Sequence, residues 1–197
     1  RRGGITTPIL ILGYADPTYA AVLAAHDLIT TCYSTEYAQA LSAAAVKAGV
    51  KVKVHLKIDT GMGRYGFLPA QVAEAIACYD LPNLEFTGAY THFSSAFHDK
   101  AKTIAQLEVF KDTLAQIEKA GKTVGTRHAA NSPALLNVEH VALDAVRIGS
   151  AFTAGWGNFV NGLQQLVVAL ASVWPLAVLA CAAVAVALAW RKKHPKK

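Results

Sequence analysis

His55-Leu-Lys-Ile-Asp-Thr-Gly-Met-Gly-Arg-Tyr-Gly66 carries a run of charged and hydrogen-bonding side chains off the end of a strand and into a glycine-rich turn. From Lys51 to Asp59, Val52, Val54, Leu56 and Ile58 alternate with Lys53, His55, Lys57 and Asp59. A period of two puts one apolar and one polar face on the strand. Parallel strands of α/β folds are normally apolar on both faces, so a polar inner face needs a reason. A site built at the carboxyl end of a barrel supplies one. Taken alone, the segment also fits an edge strand with a solvated face and an ordinary turn.

Outward from this segment, strands and helices alternate. Strands are expected at 9–12, 28–33, 52–58, 84–91, 127–130 and 142–148. Helices are expected from Pro17 to Asp27 with Asp16 as N-cap, from Ser34 to Ala48 with Gly49 as stop, from Pro69 to Tyr79, from Thr103 to Ala120, and briefly from Pro133 to Asn137. Such alternation implies right-handed βαβ units on a parallel sheet. Six βα units fall short of a closed eight-unit barrel, which typically needs about 250 residues, whereas this chain has 197. The expected fold class is therefore α/β, a partial (β/α)8 barrel of about six units, followed by a single C-terminal transmembrane helix.

That helix is read from Leu166–Trp190, which contains no charged residue and exceeds the roughly 20 apolar residues needed to cross a bilayer. The domain reading is a barrel part at 1–155, a linker at 156–165, a span at 166–190 and a basic tail at 191–197. The tail, Arg191-Lys-Lys-His-Pro-Lys-Lys197, favours a cytoplasmic C-terminus. It also accounts for most of the net charge of +6, because residues 1–165 hold 14 Lys and Arg against 13 Asp and Glu. A nearly neutral folded part argues against nucleic acid as a partner. Three widely spaced cysteines suggest neither a disulfide framework nor a metal site, and no signal peptide is expected from Arg1–Gly4.

The segment HLKIDTGMGRYGF resembles the signature of the alanine racemase family, pyridoxal-phosphate enzymes in which a barrel is followed by a β-rich domain. Further matches follow in the family's order: Pro8-Ile-Leu-Ile-Leu-Gly13, Tyr90-Thr-His-Phe93, Arg127-His-Ala-Ala-Asn-Ser132 and Val146-Arg-Ile-Gly-Ser-Ala151. The resemblance covers about residues 5 to 155. It implies that Arg64 and Lys57 place cofactor and substrate, Lys57 being carbamylated in some members, and that His92 packs against the pyridine ring. It further implies that Arg147 faces the ring nitrogen, and that Ser132, Asn131, Gly149 and Ser150 cradle the phosphate. Without the resemblance these residues also read as a solvated loop arginine, a core histidine, a salt-bridging arginine and a helix cap. His26, His98, His128 and His140 are read as surface or packing residues, and His55 as a weaker inward candidate.

The resemblance implies an amino-acid racemase interconverting L- and D-alanine for cell-wall precursors, with a small amino acid as substrate, pyridoxal 5'-phosphate as cofactor, and a homodimer. A non-catalytic cofactor-binding or membrane-tethered interaction module is the alternative. The family's two proton-transfer bases, a Schiff-base lysine on the first strand and a tyrosine from the second domain, have no match in these residues. The membrane is expected as a further partner through the C-terminal helix. The resemblance favours a cytoplasmic barrel, the basic tail the opposite side.

Overall fold

A computed structural model describes residues 4–147. Five parallel strands form one sheet in chain order: β1 (Ile9–Ile11), β2 (Leu28–Cys32), β3 (Val52–Lys57), β4 (Leu84–Tyr90) and β5 (Thr126–His128). Each returns through a helical connection: α1 (Ala20–Ala25), α2 (Thr35–Ala48), α3 (Val72–Cys78) and α4 (Lys100–Lys119), with α5 (Ser132–Asn137) after β5. Among the described residues the order β1-β2-β3-β4-β5 leaves β1 and β5 at the margins, so the sheet is an open arc and not a closed barrel.

Local chemistry sets these boundaries. Ser34 accepts a hydrogen bond from the Tyr37 N–H to start α2, and Gly49 at φ 65° ends it in the left-handed conformation that L side chains resist. Asp99 caps α4 by accepting from Lys102 N–H, so the helix begins one turn earlier than its apolar period suggests. Leu41, Ala45, Val52, Val54, Leu56, Phe110 and Ile117 are fully buried between helices and sheet. That layer uses one face of β3. Its other face is buried as well: His55 is 6%, Lys57 2% and Asp59 5% exposed.

Two sequence expectations are corrected. The sixth strand, expected at 142–148, is reduced to an isolated bridge between His128 and Ala145. The reason is local. The Arg127 N–H, which a continuous ladder would bond to a backbone carbonyl, instead donates to the Asp144 carboxylate at 2.8 Å, while Asp144 and Ala145 N–H both turn onto Arg127 C=O. The second correction concerns the fold class. Among the described residues no helix is long and apolar enough to cross a membrane. The longest, α4, is broken by charge at Lys102, Glu108, Lys111, Asp112 and Glu118. The span expected at 166–190 lies outside the described residues together with the linker and basic tail, and the fold stands as an α/β partial barrel without it. Membrane attachment, as partner and as location, is withdrawn with that helix.

Candidate active site

The polar face of β3 meets its counterparts on β4 and β5 through register. Lys57 pairs with Tyr90 and Tyr90 with His128, so one row across the sheet is lysine, tyrosine and histidine. Between Val54 and His55 the register shifts by one residue and sets His55 opposite Gly88. A side chain there is impossible without movement, since a Cβ on Gly88 would lie 2.6 Å from His55 Nε2 and 2.6 Å from the Thr126 carbonyl oxygen. Gly88 is what gives the His55 ring its place.

Arg147 closes this row. Its Nη1 donates to His128 Nδ1 at 2.7 Å and to His128 C=O at 3.1 Å, and its Nη2 donates to Thr91 C=O at 2.7 Å and Ala129 C=O at 2.9 Å. Its guanidinium carbon also lies 5.3 Å from the Tyr90 ring centroid, within cation–π range. Burial lowers its pKa to about 10, which still leaves it charged at neutral pH. A guanidinium has no acceptor, so His128 Nδ1 must be unprotonated and its proton must sit on Nε2. That Nε2–H faces His55 Nδ1 at 2.9 Å, which assigns the His55 proton to its own Nε2. Both rings are therefore neutral. Burial, then Arg147, then His55 push the His128 pKa down to about 3, and burial pushes that of His55 to about 4. His128 stacks on Tyr90 at 5.0 Å and 8°. Tyr90 in turn donates to Thr31 Oγ1, because the one Thr31 hydroxyl proton goes to Ile11 C=O.

Lys57 points into the same region. Its Nζ donates to Ile58 C=O at 2.9 Å and lies 5.7 Å and 5.6 Å from the Tyr65 and Tyr90 rings. Burial lowers its pKa to about 8; Asp59 opposes the shift, and Arg147 and Arg64 add to it. His92, just past β4, is lowered to about 4 by burial and then by Arg147, Arg64 and Lys57. Lys57 and His92 thus both lie within the electrostatic reach of Arg147 and Arg64.

Asp59 fixes the loop that carries Arg64. Its Oδ1 accepts from Gly61 and Met62 N–H at 2.9 and 2.8 Å, and its Oδ2 from Gly63 and Arg64 N–H at 2.9 and 3.1 Å. Burial works against the carboxylate, but the N–H groups of Gly61, Gly63 and Met62 hold its pKa below the usual value. The loop returns as a bridge, with Phe67 N–H on Lys57 C=O and Asp59 N–H on Phe67 C=O. Tyr65 OH donates to Leu12 C=O and ties the turn to the end of β1. Arg64 itself is exposed.

Ser132 opens α5 and is buried, and Asn131 caps that helix by accepting from Ala134 N–H at 3.1 Å. Gly149 and Ser150 lie outside the described residues. The sequence reading set His128 aside as packing, whereas the structure places it at the centre of the site. The signal was its inward parity on the strand that precedes Asn131. A cavity of about 530 Å³ lies on the inner face of the sheet, lined by Leu10, Ile29, Lys53, His55, His128 and Arg147; it touches the site at His55, His128 and Arg147 and is not lined by Lys57, Arg64, His92 or Ser132. No group of His, Cys, Asp and Glu suited to a metal ion occurs among the described residues.

The family model described as "Alanine racemase, N-terminal domain" matches residues 1–155. The chain is 44% identical over 152 residues to alanine racemase of Desulfovibrio desulfuricans, covering 76% of this chain and 41% of that one. It is 43% identical over 162 residues to alanine racemase of Desulfosudis oleivorans, covering 77% and 42%. Among solved structures, alanine racemase of Clostridium difficile 630 matches with a TM-score of 0.70 at 34% identity, over 76% of this chain and 40% of that one. The alanine racemase of Bacillus anthracis with bound L-Ala-P matches with a TM-score of 0.69 at 31% identity, over 75% and 39%. The chain spans about two fifths of the length of these relatives.

Proposed function

This chain belongs to the alanine racemase family, and from that premise we propose that it forms the barrel part of a pyridoxal-phosphate-dependent racemase that interconverts L- and D-alanine as a homodimer, for cell-wall precursors. The family is pyridoxal-phosphate dependent. One observation carries the reading. Arg147 commits all four of its terminal N–H bonds to the protein and, among the described residues, keeps only its Nε–H without a protein acceptor. A pyridine nitrogen is a single planar acceptor and suits that single donor.

When bound, pyridoxal 5'-phosphate supplies an electron sink for the pair left at the α-carbon of an amino acid once its proton is removed. The residues of this chain tune and hold it. Arg147, permanently charged, keeps the ring nitrogen unprotonated and so moderates the sink. His92 would pack against the ring. Ser132 and the helix start that Asn131 caps would hold the phosphate, together with Gly149 and Ser150 of the family's motif. Arg64 would present positive charge to the phenolic oxygen and the substrate carboxylate, with Lys57 beside it as the lysine that, once carbamylated, pairs with it. The two bases that move the α-proton in the family have no match in these 197 residues, so this part binds and orients, while proton transfer needs groups supplied from elsewhere.

The test is titration of the cofactor into the wild-type chain, Arg147→Ala and Ser132→Ala, followed by absorbance, with chiral chromatography of L-alanine incubated alongside. Loss of a charge-assisted hydrogen bond costs about 1.5–3 kcal/mol, which is a weakening of about 10- to 150-fold. Equal affinities in all three proteins would refute the assignment, and inversion of alanine by these residues alone would refute the claim that proton transfer needs groups from elsewhere.

A further inference from the structure

We propose that Gln106, on a helix that contributes nothing else to the site, is a positioning residue that clamps the Arg64 loop to the His92 loop; the inference rests on the function proposed above. Gln106 sits on the inward face of α4 among Thr103, Leu107, Phe110 and Leu114 and is 4% exposed. A primary amide in such a place is unfavourable unless both its ends find partners. Both do. Its Oε1 accepts from Ser94 N–H at 3.1 Å and from Ser94 Oγ–H at 3.2 Å, and its Nε2 donates to Thr60 C=O at 3.2 Å.

Thr60 opens the loop that leads to Arg64, and Ser94 lies two residues past His92. The amide therefore spans two loops that belong to different βα units. Gly61 shows how closely the first loop is seated, because a Cβ there would stand 3.3 Å from Gln106 Nε2. A second tie runs beside it, the 2.8 Å hydrogen bond between the Thr60 and Thr91 hydroxyls. Leucine or methionine would fill the same stripe of α4 at no polar cost. The need met by glutamine is the simultaneous demand for an acceptor at Ser94 and a donor at Thr60.

The two ends differ in chemistry, which makes the clamp testable one arm at a time. Gln106→Glu keeps an oxygen for Ser94 but sets a second oxygen against Thr60 C=O, so it releases only the Arg64 loop. Gln106→Leu releases both. Hydrogen exchange by mass spectrometry on the 197-residue chain reads amides 61–64 and 94–98 against those of β3 and β4 as reference. In Gln106→Leu both loops are expected to exchange about tenfold faster with the strands unchanged, and in Gln106→Glu only 61–64. Acidification that protonates the introduced carboxylate gives it a hydroxyl to donate to Thr60 C=O, and should restore protection there.

Pyridoxal 5'-phosphate affinity is expected to fall about fivefold or more in both variants. Unchanged loops in Gln106→Leu, or equal acceleration of loops and strands in both variants, overturns the clamp. Should Gln106→Leu not fold, the one-sided pattern in Gln106→Glu decides alone. Loop exchange as expected in the two variants, with a wild-type chain that does not bind the cofactor, would sink the functional reading while leaving the clamp intact.

Discussion

Acidifying the protein from pH 7.5 to 5 should remove a large share of its stability through two rings, His128 and His55. In the folded state His128 Nδ1 accepts from Arg147 and its Nε2–H donates to His55, so neither ring has a free site for a proton without losing a partner or facing a charge. Their pKa values of about 3 and about 4 lie below the ordinary histidine value. Between the unfolded value near 6.5 and these folded values, the unfolded chain binds a proton at each ring and the folded chain does not. Stability is therefore fully present above about pH 6.5 and is lost as pH falls through about 4 for His55 and about 3 for His128. At pH 5 each ring contributes a loss of roughly 2 kcal/mol; solvent in the cavity beside His55 screens part of it, which leaves about 3 kcal/mol for the pair. That is a substantial fraction of a typical 5–15 kcal/mol. Unfolded carboxylates titrate mostly below this window, and His92 is the remaining ring shifted in the same direction. The assay is urea unfolding at pH 7.5 and 5.0 for wild type and for His55→Gln with His128→Gln, with nitrogen NMR of the rings to read the tautomers. An identical pH dependence in wild type and double variant, or a doubly protonated His128 ring in the folded protein at pH 6, would refute the reasoning.

Two more outcomes follow from the site. Lys57, with a pKa of about 8 and two arginines nearby, exposes a neutral amine to dissolved CO2 in slightly alkaline solution. A carbamate resonance from ¹³C-labelled CO2 should grow as pH rises through about 8 at constant dissolved CO2, and be absent in Lys57→Arg; no such signal in wild type would discard the modification. Gly88→Ala should destabilise the fold by about 1–3 kcal/mol in urea unfolding, because its Cβ collides with His55 and with Thr126 C=O. Gly13→Ala, which meets nothing within 4 Å, should stay within about 0.5 kcal/mol of wild type, and equal effects in the two would contradict the register at His55.

The strands and caps were legible because they are local. Apolar alternation around Val54, the Ser34 and Gly49 ends of α2 and the Asp16-Pro17 start are decided within a few residues, and the structure keeps them. What failed was set by distant partners. The strand expected at 142–148 had the right composition, but the Asp144 carboxylate takes the Arg127 N–H that a ladder needs. His128 looked like packing because parity says only that a side chain faces inward, and its partners His55 and Arg147 lie 73 and 19 residues away. Gln106 carried no signal of its own, being one of three polar residues, with Thr103 and Thr113, on the buried face of α4.

The charge pattern of the site follows from the same motif and reaches further than its geometry. Lys57 feels the positive charges of Arg147 and Arg64, and His92 feels all three. The carboxylate nearest to Lys57 in sequence, Asp59, has both oxygens taken by the N–H groups of its own turn. Its charge therefore serves the loop, and it offsets the cations only at a distance. Cations within reach of one another, with no carboxylate paired to them among the described residues, are unfavourable, the more so where, as at Lys57 and Arg147, they are desolvated. An anion arriving from outside relieves this. A phosphate ester, a substrate carboxylate and a carbamate on Lys57 all meet that electrostatic demand, and each loads the site in the direction that the proposed function requires.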